Sequence, residues 1–250
     1  MQPRENELVD YPVVRYDSSK NDFVDDHKFT SIECPLEIYL NGEKLITSFC
    51  SPGDQEDLIV GILAQMGKIN SIDDIISLHN DGFTAKVTTK AIEPQPRKQL
   101  NKEIKFNAKD ILKCADKLLG ELAATHNITN GVHSGVIFDG KVVDGQDDRA
   151  LEDKILVFRE DIGRHNVFDK LYGWALRNNV DITDKIIVFS GRCSCEMMMK
   201  LGRMGITSVA AKSVPTTLSI NIAKKLGITL VARMAPGSFC IYTNPERIIL

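Results

Sequence analysis

The amino-acid sequence predicts an α/β fold, preceded by a smaller α+β region. The main observation is a regular alternation of apolar runs and helical patterns in the carboxyl-terminal part of the chain. Runs without polar alternation are typical of strands that helices cover on both faces, as in a parallel sheet with crossover connections. The runs predicted as strands are 155–158, 186–189, 206–210 and 228–234, and the helical patterns between them are 167–175, 196–204 and 216–226.

The region between residues 34 and 90 is predicted to contain two β-hairpins and one helix. Asn41-Gly42 separates two short apolar runs, and this dipeptide favours the positive φ angles of a tight hairpin turn. A second hairpin is predicted to join 75–78 to 83–88. Between the hairpins, Asp54 is a fair helix cap before apolar residues at helical spacing. This pattern indicates a small α+β unit.

Two stretches interrupt these patterns. Residues 1–33 are polar and acidic with little periodicity, so we expect a partly ordered arm. Residues 91–105 contain two prolines, several charges and few apolar residues, which is typical of a linker. The predicted organisation is therefore a small α+β domain at 34–90, a linker at 91–105, and an α/β domain at 106–250.

Composition excludes several classes of protein. The chain has 250 residues, of which 43% are hydrophobic and 26% charged, so it is neither disordered nor fibrous. A formal net charge of -3 offers no broad basic surface for nucleic acid. No apolar run approaches the roughly 18 residues that span a bilayer, and no secretory signal is evident at the start. Six cysteines over this length favour a reducing compartment, so we expect a cytoplasmic protein without nucleic-acid or membrane partners.

In an open α/β sheet, ligands bind beyond the carboxyl ends of the strands. Three turns from a predicted strand to a predicted helix fall there, at 159–166, 190–196 and 213–217. Their backbone N–H groups could face an anion, and arginine guanidinium groups suit phosphate. The alternative is that the arginines only pair with neighbouring acidic residues. We favour a phosphate-bearing ligand, because three arginines and two glycines occur together in these turns: Arg159, Arg164, Arg192, Gly163 and Gly191.

Two histidines are predicted near the same crevice. His133 lies in a predicted strand at 131–139, and His165 follows the strand at 155–158. A single histidine in such a position is often a buried structural group, and it can also contact a ligand. Both interpretations stay open for each residue.

The residues of these turns resemble a known family. The segment 159–166 reads Arg-Glu-Asp-Ile-Gly-Arg-His-Asn and is followed by Asp-Lys-Leu. It resembles the signature of the formate dehydrogenase accessory sulfurtransferase family, FdhD. Weaker matches occur in the same order as in that family, at 131–133, 190–196 and 239–243, with another upstream at 52–61. The resemblance covers roughly residues 33 to 244.

The resemblance implies a cytoplasmic, homodimeric sulfur carrier whose larger domain is similar to the cytidine deaminase fold. Such proteins take sulfur from a cysteine desulfurase and pass it to the molybdenum cofactor, bis-molybdopterin guanine dinucleotide, before formate dehydrogenase receives that cofactor. A nucleotide such as GDP would then serve as a surrogate ligand. The residues that we expect to bind the cofactor are Arg159, Gly163, Arg164, His165, His133, Ser190, Gly191 and Arg192, together with Phe239, Cys240, Ile241, Tyr242, Thr243 and Asn244.

The chain departs from the family at the residues that carry sulfur. The family uses a Cys-x-x-Cys pair in a loop between its two domains, and residues 91–105 contain no cysteine. Cys193 and Cys195 are the predicted substitutes, because the start of a helix lowers a thiol pKa and Arg192 is adjacent. Alternatively, these cysteines are simply small buried residues. The chain would then be a chaperone that binds the cofactor without transferring sulfur.

A zinc deaminase is a further alternative, since the fold would be similar. Its signature needs His-x-Glu and Pro-Cys-x-x-Cys. Here His133 is followed by Ser134-Gly135, and Cys193 and Cys195 are one residue too close. A zinc site of one histidine and these two cysteines remains conceivable, but no base for hydrolysis is present, and we predict no metal. A Rossmann dehydrogenase is disfavoured, because no Gly-x-Gly-x-x-Gly follows a strand.

Overall fold

The computed structural model describes residues 7–93, 103–142 and 149–250, whose strands form four sheets. A hairpin comes first, then a four-stranded sheet and a six-stranded sheet, and a short strand pair ties residues 106–107 to 248–249. The strands are β1 (Leu8–Asp17), β2 (Asp22–Ser31), β3 (Cys34–Leu40), β4 (Glu43–Cys50), β5 (Ile75–Asn80), β6 (Thr84–Thr89), β7 (Phe106–Asn107), β8 (His133–Phe138), β9 (Ile155–Asp161), β10 (Ile186–Phe189), β11 (Ser208–Ala211), β12 (Thr229–Ala235), β13 (Ser238–Ile241) and β14 (Ile248–Ile249). The helices are α1 (Gln55–Gln65), α2 (Ala108–Lys117), α3 (Ala124–Thr129), α4 (Leu151–Lys154), α5 (Arg164–Arg177), α6 (Cys195–Met204) and α7 (Thr217–Leu226), with a π-helical turn at Leu118–Leu122 and 3-10 turns at Ile72–Asp74 and Pro245–Arg247.

The amino-terminal arm is more regular than its composition predicts. Strands β1 and β2 pair antiparallel without a break, from Leu8 opposite Ser31 to Asp17 opposite Asp22. Tyr16 and Phe23 face each other across the strands with ring centroids 5.8 Å apart. Aromatic and β-branched residues favour strands even when charges separate them, because cross-strand pairs stabilise the hairpin.

The two predicted hairpins of the four-stranded sheet are confirmed. Asn41 and Gly42 turn between β3 and β4 with φ angles of 51° and 90°, and β5 pairs antiparallel with β6. Strand β3 also pairs with β6 in parallel, which gives the order β4-β3-β6-β5. Asp54 occupies the N-cap position of α1 as predicted, but it does not cap the helix with its side chain. Asp54 precedes the helix in a left-handed conformation, and its side chain makes no capping hydrogen bond.

Helix α1 packs directly against α5. Gly61 and Gly173 lie at this crossing, where an added Cβ on either would come within 1.8 Å of a backbone oxygen of the other helix. One hydrophobic cluster joins both sheets through these helices and includes Leu58 and Leu63 of α1 and Leu171 of α5. The core is therefore continuous between the four-stranded and six-stranded sheets. The predicted linker falls mostly at 94–102, outside the described residues.

The six-stranded sheet confirms the α/β prediction and positions the site. Its order is β13-β12-β11-β10-β8-β9, with β10, β11 and β12 parallel and α6 and α7 as crossovers between them. Strand β8 lies between β9 and β10 and is antiparallel to both. The carboxyl ends of β9, β10 and β11 therefore meet the amino end of β8 at one edge. Within the described residues, no helix is long and apolar enough to cross a membrane.

Candidate functional site

Segments that are far apart in sequence meet at this edge of the sheet. His133 lies opposite Asp161 in register. The N–H of Ser190 donates to the Ser134 carbonyl at 2.9 Å, and the Ser134 N–H donates to Ser190 Oγ at 2.8 Å. The predicted convergence at the strand ends is thus present in the backbone. We call this region the crevice and define it by His133, Arg164, His165, Ser190, Gly191 and Arg192.

The turn at 161–166 is held by one buried carboxylate. Asp161 Oδ1 accepts hydrogen bonds from the Gly163 N–H and from Asn166 Nδ2, both at 2.8 Å. Its Oδ2 accepts from the Ser51 N–H at 3.2 Å and lies 2.7 Å from Lys170 Nζ. Asp161 and Lys170 are both fully buried. This network fixes the start of α5 and joins it to the end of β4.

The three predicted phosphate-binding arginines have different surroundings. Arg159 donates to Asp57 Oδ2 from Nε at 2.8 Å and from Nη2 at 2.6 Å. Its guanidinium is therefore engaged by an internal carboxylate, so the expectation that it binds the cofactor is not supported. Arg164 and Arg192 make no ion pair with any described residue, and Arg164 Nε is buried without a hydrogen-bond partner. These two arginines remain available for an anion.

Both histidines lie in surroundings that disfavour their charged form. Burial lowers the pKa of His133, and the nearby Arg164 charge lowers it further. Burial is also the main cause that lowers the pKa of His165, and the positive charges of Lys200 and Arg164 lower it further. The Glu196 carboxylate, 3.3 Å from His165 Nε2, acts in the opposite direction. The lowered pKa favours the neutral form of each ring, which presents one donor and one acceptor. The crevice cations are then the arginines.

Gly191 makes room for His133. An added Cβ at this position would lie 2.7 Å from the Phe189 ring and 3.1 Å from His133 Nδ1. The His133 and Phe189 ring centroids are 6.1 Å apart, and Phe189 in turn packs edge-on against Phe168 at 5.0 Å. Any side chain on residue 191 would have to shift the Phe189 ring and would crowd His133.

A pocket of about 490 Å³ adjoins the crevice at the start of α5. Its polar end contains Asp169 and Lys200, which form an ion pair. Burial raises the pKa of Asp169 to about 6, although Lys200 acts in the opposite direction. Sequence patterns did not indicate this pocket, because its walls come from four separate elements, β4, α1, α5 and α6. The residues that line it include Gly163, His165 and Asn166 at the start of α5, and Ile46, Phe49, Ile62 and Met66 on β4, α1 and the end of α1.

Comparison with known proteins identifies the family. The sequence profile of the FdhD/NarQ family matches residues 31–103 and 81–249. The chain belongs to the FdhD/NarQ family. The sulfur carrier protein FdhD of Geobacillus kaustophilus is 34% identical in an alignment 267 residues long, which covers 96% of each chain. The sulfur carrier protein FdhD of Bacillus subtilis is 33% identical over 265 residues, covering 94% of this chain and 95% of that one.

A solved structure shows the same fold. It is described as a putative formate dehydrogenase accessory protein from Desulfotalea psychrophila, and it superposes with a TM-score of 0.79 at 23% identity. The match covers 97% of this chain and 99% of the other. The two chains therefore share the same arrangement of sheets over nearly their whole lengths.

The two cysteines predicted to replace the family's pair differ in accessibility. Cys193 is fully buried, and burial raises its pKa to about 12. The expectation of a lowered pKa at this helix start is therefore wrong for Cys193, because burial removes the solvent that stabilises a thiolate. Cys195 is only partly buried and is the first residue of α6. In this family member, Cys195 is the accessible thiol of the pair.

The predicted cofactor segment at 239–244 lies mostly away from the crevice. The Tyr242 N–H donates to the Leu230 carbonyl at 2.8 Å, and Thr243 Oγ1 donates to the Ile228 carbonyl at 2.6 Å. Both contacts are at the amino end of β12, the edge opposite the crevice. Within one chain, the structure does not bring Tyr242, Thr243 and Asn244 to the crevice. The other residues of the segment lie on edge strand β13, where Phe239 packs on the core and Cys240 and Ile241 are exposed.

The zinc-site alternative gains no support. Among the described residues, no group of three or more histidine, cysteine or carboxylate side chains is arranged to hold a metal ion. Cys193, which that site would need, is fully buried in the hydrophobic core.

Proposed function

We propose that this family member is a cytoplasmic sulfur carrier that binds the guanine dinucleotide end of the molybdenum cofactor and serves formate dehydrogenase. Two relatives named sulfur carrier proteins, each about a third identical over nearly the whole chain, support the carrier role. The observation that carries the binding site is the unpaired Arg164 and Arg192 at the crevice. A cysteine desulfurase is the proposed sulfur donor.

The crevice offers the groups that a nucleotide diphosphate requires. Arg164 and Arg192 supply charged donors, and the backbone N–H groups at the starts of α5 and α6 supply neutral ones. Ser194 Oγ is buried without a partner at the start of α6, so a further donor is available there. The adjoining pocket of about 490 Å³ has apolar walls that suit a planar base. When bound, the cofactor supplies the metal centre to which sulfur is delivered.

The nucleotide site is tested by GDP binding. We expect Arg164→Ala and Arg192→Ala each to weaken GDP affinity about 10- to 100-fold, because each removes a hydrogen bond from a charged donor. Isothermal titration calorimetry measures this change directly. Arg15→Ala is the matched control, since Arg15 carries the same charge on the hairpin and pairs with Asp26. Unchanged GDP affinity in both crevice variants would disprove the assignment.

Sulfur transfer is proposed to use Cys195. Its thiolate would attack the terminal sulfur of a persulfide on the donor, so that a new S–S bond forms on Cys195 and the donor cysteine leaves as a thiolate. Partial exposure at the first residue of α6 supports this role.

The second candidate function is a cofactor chaperone without sulfur transfer. The absence of cysteine from residues 91–105 and the burial of Cys193 favour it.

A homodimer belongs to the same proposal. Hairpin β1–β2 contacts α3 near its base, where Ser31 Oγ and Thr129 Oγ1 are 2.9 Å apart, but a two-stranded hairpin without further packing is only marginally stable in water. The hairpin also exposes large apolar side chains, with Phe23 at 70% and Val14 at 66%. Contact with a second copy would cover them.

We also propose a relation between the six-stranded sheet and the cytidine deaminase fold, which the parallel order of β10, β11 and β12 supports.

A further inference from the structure

Two cysteines lie directly opposite each other in the four-stranded sheet. Cys34 of β3 is in register with Cys50 of β4, so both side chains point to the same face of this antiparallel pair. The Glu37 N–H donates to Phe83 on the β6 side of β3. Because N–H groups alternate along a strand, the even-numbered residues of β3 bond to β4. Cys34 and Cys50 are therefore a hydrogen-bonded pair.

This geometry is compatible with a disulfide. The Cα atoms of a hydrogen-bonded antiparallel pair are about 5.5 Å apart. Disulfides span Cα separations of roughly 4.4–6.8 Å, most often about 5.5–6 Å. The Cβ atoms of a disulfide are about 3.5–4.5 Å apart, whereas facing Cβ atoms of an antiparallel pair are about 4.5–5.5 Å apart and are farther apart in hydrogen-bonded pairs. A bond between Cys34 and Cys50 therefore needs a small local approach of the two strands.

The two thiols differ in accessibility. Cys34 is partly exposed near the start of β3, whereas Cys50 is completely buried beside Leu36 and Leu58 in the core cluster. Gln55 Nε2 lies 3.9 Å from Cys50 Sγ and donates to it. A small reagent from solution can therefore reach Cys34 first, and Cys50 is protected from direct attack. An accessible thiol beside a protected one is the usual arrangement for exchange with an external disulfide.

We propose that Cys34 and Cys50 are a modification site that forms a reversible cross-strand disulfide by exchange with a low-molecular-weight disulfide such as oxidised glutathione. In the first step, the Cys34 thiolate attacks one glutathione sulfur, forming a mixed disulfide and releasing one glutathione thiolate. Burial raises the pKa of Cys50 to about 12, so the second step, in which Cys50 loses its proton, attacks Cys34 Sγ and releases the second glutathione, should be the slower one. Two electrons pass to the glutathione disulfide, and two protons leave the cysteines.

The bond would form next to the network that holds the crevice. The N–H of Ser51, the residue after Cys50, donates to Asp161, and the Ile162 N–H donates to Ser51 Oγ at 3.2 Å. Asn166 Nδ2 donates to the Phe49 carbonyl at 2.8 Å. This dithiol is separate from Cys193 and Cys195, and its oxidation does not depend on sulfur transfer.

The test is peptide mapping of the full-length protein after equilibration with oxidised and reduced glutathione, acid quenching, alkylation and digestion with trypsin. Lys44 lies between the two cysteines, so Cys34 and Cys50 fall in different tryptic peptides, 29–44 and 45–68. We expect a cross-linked pair of these peptides to be the main product, and to disappear when excess reduced glutathione is added. Cys193 and Cys195 share the peptide 193–200, so their products are distinguishable.

Variants distinguish the two steps. In Cys50→Ser, glutathione should stay attached to Cys34, and in Cys34→Ser the cross-link should be lost. Cys240→Ser is the matched control, because Cys240 is exposed but has no cysteine opposite it, and it should leave the cross-link unchanged. If Cys50→Ser does not fold, the wild type and Cys34→Ser decide. The proposal is overturned if wild-type Cys34 retains glutathione while Cys50 stays reduced, or if Cys34 remains unmodified.

Discussion

Replacing Gly61 with alanine should lower the free energy of unfolding by about 3 kcal/mol or more, the upper end of what overpacking costs. The new Cβ would lie 1.8 Å from the Asp169 carbonyl oxygen of α5, which is backbone and cannot rotate away. Gly173→Ala should have a similar effect, because its Cβ would lie 1.8 Å from the Asp57 carbonyl oxygen of α1. The two helices would have to separate, and the shared core between the two sheets would open.

The expected loss of stability is opposite in direction to the effect of helix propensity. Alanine within a helix is normally more favourable than glycine by about 1 kcal/mol. Gly120→Ala is therefore the matched control, since nothing lies within 4 Å of an added Cβ there, and it should be neutral or stabilising. Urea unfolding monitored by circular dichroism measures all three variants. Wild-type stability in both Gly61→Ala and Gly173→Ala would contradict the close crossing of α1 and α5.

Lys170→Met should lower the free energy of unfolding by about 3–5 kcal/mol, the range observed when one partner of a buried ion pair is removed. Lys170 is fully buried, lies 2.7 Å from Asp161 Oδ2 and donates to the Glu160 carbonyl at 3.0 Å. Methionine fills a similar volume, so the loss reports the stranded Asp161 carboxylate rather than a cavity. Because Asp161 holds the turn at 161–166, GDP affinity should fall as well.

Lys44→Met is the control for charge removal. Lys44 pairs with Glu37 on the surface, where solvent screens the interaction, so we expect an unchanged unfolding midpoint. Unfolding curves and GDP titrations of the same samples separate the two effects of Lys170. If Lys170→Met were as stable as Lys44→Met, the buried pair would not hold the turn.

The sequence predicted the location of the crevice because that location depends on strand direction. Parallel strands with crossover helices must end at one edge, so the turns at 159–166 and 190–196 had to meet. The insertion of β8 between β9 and β10 was not predictable from periodicity, yet it brings His133 to the same edge. The hairpin turn at Asn41-Gly42 was predictable for a local reason, since two adjacent residues determine it.

The features that the sequence did not indicate come mainly from contacts between distant residues. Arg159 pairs with Asp57, which lies 102 positions earlier, and no local pattern indicates that partner. The sequence places Cys193 in a turn before a predicted helix, which suggests an exposed thiol. The fold buries this residue completely, and burial raises its pKa. Residues 8–31 looked irregular because charges interrupt the apolar positions, whereas pairing across the hairpin orders them.

Persulfide mapping tests the central claim of sulfur carriage most directly. The wild type, Cys195→Ser and the matched control Cys193→Ser would each be incubated with a cysteine desulfurase and cysteine, then alkylated and analysed by mass spectrometry. We expect a sulfur adduct on Cys195 in the wild type and in Cys193→Ser, because Cys195 is the accessible thiol at the crevice. The adduct should be absent from Cys195→Ser. If no adduct formed on any of the six cysteines, the chain would be a cofactor-binding protein that does not carry sulfur.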